Sequence, residues 1–120
     1  MVIAIDFDNT IFVEEYPFVG DLIDGAKETI NKYYNLGHTI IIWTCRHGDT
    51  ADAAMEALSL HGIKYHYFNE NDPERIAKYG NDSRKIGCDV LIDDRDPYNK
   101  LHGVDWQKID NMLQKIAHNG

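Results

Sequence analysis

Three short runs constrain this chain more than anything else in it: VIAIDF at residues 2–7, TIIIWT at 39–44 and CDVLIDD at 88–94. Each is apolar almost without a break and rich in β-branched residues, as expected of strands covered on both faces. The intervening stretches carry helical spacing. Residues 21–36 place Leu22, Ala26, Ile30 and Tyr33 or Tyr34 on one face, with Gly37 as a stop. A second helix through ADAAMEALSLH is capped by Asp49 or Thr50, turns Ala51, Ala54, Met55 and Leu58 inward and ends at Gly62. A short strand, KYHYF, follows. Residues 69–85 read as a long polar loop with one short helix, and a last helix from about Asp105 faces the sheet with Trp106, Ile109, Leu113 and Ile116. Strands alternating with helices predict an α/β domain: a three-layer, Rossmann-like parallel sheet with helices on both faces.

At 120 residues the chain suits a single domain, residues 1–120, without disulfide or structural metal. No apolar run approaches the ~20 residues of a membrane span, and the first residues lack the basic flank of a secretory signal. The expectation is a cytoplasmic protein that does not enter membranes. Cys45 and Cys88 lack metal-knuckle spacing and read as plain buried thiols. A net charge of −8 argues against broad nucleic-acid binding, which needs Lys and Arg against phosphates.

The strand ends raise the functional question. The first run ends at Asp6 and Asp8, the second at Thr44 with Arg46 just beyond, and the last at Asp93 and Asp94. In a parallel sheet these ends share one edge, where ligands of open α/β sheets bind. Four carboxylates at ~4 Å separations would repel by about 4 kcal/mol per pair at an effective dielectric of 20, too much for a marginally stable domain. A hard, oxygen-seeking dication removes that repulsion. Mg²⁺ is the expected cofactor, with Asp6, Asp8, Asp93 and Asp94 as candidate ligands. Arg46 is a candidate substrate anchor because its planar fork suits phosphate or carboxylate. His47 and the remaining histidines read as solvated or polar-face residues.

Asp6-Phe7-Asp8-Asn9-Thr10 resembles the first signature of the haloacid dehalogenase superfamily, Asp-x-Asp-x-Thr after a hydrophobic strand. Thr44 after IIIW resembles the second, Lys85 the third, and Asp93-Asp94 after VLI the fourth. The resemblance implies Mg²⁺-dependent phosphatase chemistry through an aspartyl-phosphate. Asp6 would be the nucleophile. Asp8 would be the general acid and then base, with its backbone carbonyl on the metal. Thr44 would hydrogen-bond a phosphoryl oxygen, and Lys85, with Lys78 and Arg84 as rivals, would neutralise charge on nucleophile and phosphoryl group. Asp93 would bind Mg²⁺, and Asp94 would be a further ligand or would orient water. Asn9 stands where many members have Gly.

There is no room for the cap domain that many members carry. About ten residues, FVEEYPFVGD, separate Thr10 from the first helix. Specificity would rest on a flap near Tyr16 to Phe18, the Arg46-His47-Gly48 loop and the 69–85 loop. The expected partner is a phosphorylated substrate, a small molecule or a larger phosphoester, with a homo-oligomer as a means of covering the open site. The alternative is a catalytically weak phosphate-binding or regulatory protein. A receiver-type signalling domain would gather similar residues, but in the reverse order along the chain.

Overall fold

The structure, a computed structural model, describes residues 1–119. Its strands are β1 (Val2–Ile5), β2 (Phe12–Glu15), β3 (Phe18–Leu22), β4 (Thr39–Ile42), β5 (Tyr67–Phe68) and β6 (Val90–Ile92). Its helices are α1 (Ala26–Asn35), α2 (Gly48–Leu60), α3 (Pro73–Tyr79), α4 (Pro97–His102) and α5 (Trp106–Asn119). Four strands form a parallel sheet in the order β5-β4-β1-β6, flanked by helices in the α/β arrangement that the alternating runs predict.

Alternation along β1 divides the core. Ile3 and Ile5 join Ile40, Ile42 and Ile92 in a large cluster with Ile30 and Tyr33 of α1, Ala54 and Leu58 of α2, and Trp106, Ile109 and Leu113 of α5. Val2 and Ala4 face the other way and pack with Ile41 and Ile86, the latter from the segment that follows α3. Each fully buried Ile or Leu contributes roughly 1.5–3 kcal/mol by leaving water, so the large cluster dominates the stability of the fold.

Several local expectations are corrected. Leu22 does not begin a helix; it ends β3, which pairs antiparallel with β2 through Phe12 opposite Leu22 and Glu15 opposite Phe18. α1 starts only at Ala26, after Gly25 at φ 84°. The hairpin packs so closely that a Cβ on Gly20 would collide with the Val13 carbonyl. α2 starts at Gly48 after His47, and Thr50 lies inside its first turn, where its hydroxyl accepts from the His47 N–H at 3.2 Å and donates to the His47 carbonyl at 2.8 Å. The KYHYF strand shrinks to two residues because the Ile40 amide donates to the His66 ring Nδ1 at 3.0 Å rather than to a backbone carbonyl. α4, which the sequence reading lacked, starts at an Asp-Pro step where Asp96 accepts from the Asn99 amide. Ile116 is 45% exposed and does not face the sheet.

Candidate functional site

Register brings the site together. Ile5 lies opposite Ile42 on one side and Ile92 on the other, so the residues after each, Asp6, Trp43 and Asp93, leave the sheet side by side. The Asp6 amide donates to the Ile92 carbonyl and the Trp43 amide to the Ile5 carbonyl, both at 2.8 Å. Beyond Asp6 the chain turns sharply: the Ile11 amide donates back to the Phe7 carbonyl at 3.0 Å and Asn9 adopts φ 59°. That left-handed conformation is tolerated by Asn, as by Gly, and explains why this residue type fits the turn. Trp106 of α5 pins the turn from beneath, its indole N–H donating to the Thr10 carbonyl at 2.8 Å.

Asp6, Asp93 and Asp94 each offer an oxygen, all within 4.8 Å of one another. Burial comes first in pushing the Asp6 carboxyl up to about 8 from 3.8, followed by the neighbouring Asp94 side chain and the negative charge of Asp93. The Thr10 hydroxyl, donating to Asp6 Oδ2 at 2.9 Å, pulls the other way. Asp93 is raised as well, mainly by burial, against the Arg95 amide that donates to its Oδ1 at 3.0 Å. An all-oxygen donor set whose charge Thr10 and Arg95 offset only in part fits a hard dication such as Mg²⁺. These three residues could hold one. The Asp8 carboxylate is not in the cluster; it turns to Arg46.

Arg46 corrects one expectation. It is a buried clamp rather than a free substrate anchor, 2% exposed. Nε donates to Asp8 Oδ2 and Nη2 to Asp8 Oδ1, both at 2.9 Å. Nη2 also donates to the Phe18 carbonyl at 2.7 Å, and Nη1 to the carbonyls of Pro17 and Thr50 at 3.1 Å. Those five bonds use every N–H of a guanidinium, so none remains for a ligand.

A cavity of about 360 Å³ opens over this edge, lined by Asp6, Asp8, Thr44, Asp93 and Asp94 together with Tyr16, Trp43, Cys45, His47 and Arg95. Six of the seven expected residues therefore meet at its wall, Arg46 among them as a support rather than a free anchor. Lys85 does not. It lies in the loop before β6 and lines a different hollow beside Arg75 and Cys88. The physical reason is direction: residues before a parallel strand lie at its amino end, opposite the residues after it. Cys45, expected to be buried, is exposed at the cavity, while Cys88 is half-buried.

Three supports escaped the sequence reading. Thr10 holds Asp6. Asn69, after β5, accepts from the Thr44 amide at 2.8 Å and donates to the Arg46 carbonyl at 3.2 Å, fixing the loop that carries both. Arg95 lines the cavity with an exposed side chain. The Asp-x-Asp-x-Thr string was the available signal for Thr10, and the place of Arg95 directly after Asp93-Asp94 was the signal for it; nothing local to its own stretch marks Asn69.

No protein-family model and no curated protein matches the chain. Among solved structures it is similar to a conserved protein from Bacteroides thetaiotaomicron, 34% identical, with a TM-score of 0.82 over 96% of this chain and 90% of that one. The chain belongs to that protein's family. The relative is described as conserved, without an activity, so the relationship carries the fold and leaves the chemistry to be argued from the site. Among the described residues no helix is long and apolar enough to cross a membrane.

Proposed function

We propose that this chain is a Mg²⁺-dependent phosphomonoesterase of the haloacid dehalogenase type, acting through an aspartyl-phosphate. The observation that carries the reading is the convergence of Asp6, Asp93 and Asp94 within 4.8 Å, next to Asp8, at the carboxyl edge of the sheet. Mg²⁺ bound there would neutralise the triad, keep Asp6 ionised at neutral pH and offset charge on the phosphoryl oxygens.

In the first step an Asp6 oxygen attacks phosphorus, the ester P–O bond breaks, and Asp8, entering the cycle with a proton on a lone pair that Arg46 does not use, gives that proton to the leaving oxygen. In the second, Asp8 takes a proton from water as that water attacks phosphorus; the bond to Asp6 breaks and inorganic phosphate leaves. The Thr44 hydroxyl, whose oxygen accepts from the Arg46 amide at 3.2 Å, keeps its own proton for a phosphoryl oxygen. Arg95 takes the charge-neutralising place first expected of Lys85, because it lines the cavity and Lys85 does not. The substrate itself, from sugar phosphate to nucleotide, is set by the open cavity and the hairpin beside it.

Turnover of p-nitrophenyl phosphate tests the reading. Hydrolysis should require Mg²⁺ and vanish in Asp6→Asn; full activity in that variant refutes the nucleophile. A second reading, phosphate binding with weak turnover, draws on the absence of any lysine from the cavity wall. A phosphate-ester panel separates the two, since Mg²⁺ binding without hydrolysis of any member favours the binder.

A further inference from the structure

Arg46 joins its own neighbourhood, the first turn of α2 through the Thr50 carbonyl, to two parts of the chain distant from it in sequence: the turn after β1 through Asp8 and the tip of the β2–β3 hairpin through the Pro17 and Phe18 carbonyls. The hairpin needs such a tie. Its root is anchored, with Phe12 buried and Leu22 packed against the core, but residues 13–18 are all exposed and Phe18 is 74% exposed. The tip is held down by its own ladder, by Asn9 Oδ1 accepting from the Glu14 amide at 2.9 Å, and by Arg46. The guanidinium also lies 5.3 Å from the Tyr16 ring and 5.2 Å from that of Phe7.

We propose that Arg46 is a positioning residue that couples the placement of the hairpin tip to the orientation of the Asp8 carboxylate. A buried guanidinium cannot leave acceptors behind without cost, because unpaired N–H groups and an unpaired charge are both penalised. When the tip lifts, Nη1 and Nη2 lose two carbonyls and the fork must shift, and Asp8 shifts with it because both its oxygens are bound to the same fork. A carboxylate accepts about four hydrogen bonds. Arg46 uses one on each oxygen, which leaves the remaining lone pairs free to face the cavity that Asp8 lines. A leaving group that seats against Tyr16 thereby sets Asp8, and the hairpin becomes the element that selects substrates. The consequence for turnover rests on the phosphatase reading; the mechanical coupling does not.

Hydrogen exchange read by mass spectrometry, together with steady-state turnover of p-nitrophenyl phosphate in Mg²⁺, tests this on the full chain. Asp8→Ala should raise exchange at the amides of residues 13–16, 18 and 19 while the β1 and β4 amides stay protected, although Asp8 makes no side-chain bond to the tip. Should that variant not fold, Asp8→Asn keeps the shape and takes its place. Arg46→Lys keeps the charge and loses the fork; it should loosen the same amides and lower kcat about 100-fold with KM little changed. Unchanged exchange at the tip in the Asp8 variant overturns the coupling, as does exchange that rises equally across the sheet, which would mark a general stability role. Wild-type kcat in Arg46→Lys also overturns it. If the wild type hydrolyses no phosphate ester, the phosphatase reading falls while the exchange result still decides the coupling.

Discussion

The two edges of the parallel sheet treat the same side chain in opposite ways. At the amino edge Asp89 has partners: the Val2 amide and the Arg75 guanidinium each donate to it at 2.7 Å, and these bonds, the amide first, hold its carboxyl below the usual range. At the carboxyl edge Asp6 faces Asp93 and Asp94, is half-buried, and is pushed up to about 8. One edge has satisfied its acids; the other pairs Asp8 with Arg46 but leaves Asp6, Asp93 and Asp94 crowded together with no ion pair to a cationic side chain among the described residues. An arrangement that costs folding free energy and persists points to what the edge is for, since perturbed carboxylates cluster where chemistry needs them.

The strongest way to break this contrast is Asp6→Asn. Turnover of p-nitrophenyl phosphate should fall by about four orders of magnitude or more, as for loss of a nucleophile. The same variant should melt higher than wild type at pH 9 in EDTA, because the amide keeps the shape and removes the unwanted charge. A variant less stable than wild type under those conditions would show that the acids at this edge do not repel.

Cations sharpen the comparison next. Arg95→Ala should cost about 100-fold in kcat, as for removal of one charge-stabilising donor. Lys85→Ala, at the amino edge, should stay within about twofold, as ordinary surface changes do. The reverse ranking would return Lys85 to the site.

The two edges should also respond oppositely to pH. The folded value of Asp6, about 8, lies above the ordinary 3.8, so its contribution to stability is complete below about 4 and lost as pH rises towards 8. Urea unfolding in EDTA should show that loss, about 2 kcal/mol after discounting for partial exposure, and Mg²⁺ should abolish the slope by replacing the proton. Asp89, held low, contributes stability that is present above 3.8 and lost as pH falls below it. The smallest effect is expected from Asp89→Asn. Its pair with Arg75 is 44% exposed on the Asp side, and removing it should cost under about 1 kcal/mol in urea unfolding and leave turnover untouched.

The sheet was legible because continuous β-branched runs such as TIII have few other ways to bury both faces, and the acidic edge followed from where those runs stop. The β2–β3 hairpin was hidden: FVEEYPF mixes charge and proline, and its pairing depends on a bulge and on the close approach at Gly20. Arg46 was visible as an arginine, but its burial was not, because the carbonyls that enclose it belong to that unseen hairpin. Lys85, which the resemblance implies for the site, precedes β6, and strand direction decides which edge a flanking residue joins. Arg95, after the last acidic pair, lies on the correct side by the same rule.

The indole of Trp106 and the carbonyl of Thr10 are 96 residues apart in sequence, yet they share one hydrogen bond beneath the turn that follows β1. β6, which supplies Asp93, is likewise paired to β1 across most of the chain. During synthesis, then, the stretch from Asp6 to Thr10 emerges from the ribosome long before the elements that shape it. Such long-range closure slows folding, and it means that a nascent chain stalled ahead of α5 has a sheet in the making while the turn that carries Asp6 and Asp8 still lacks its support.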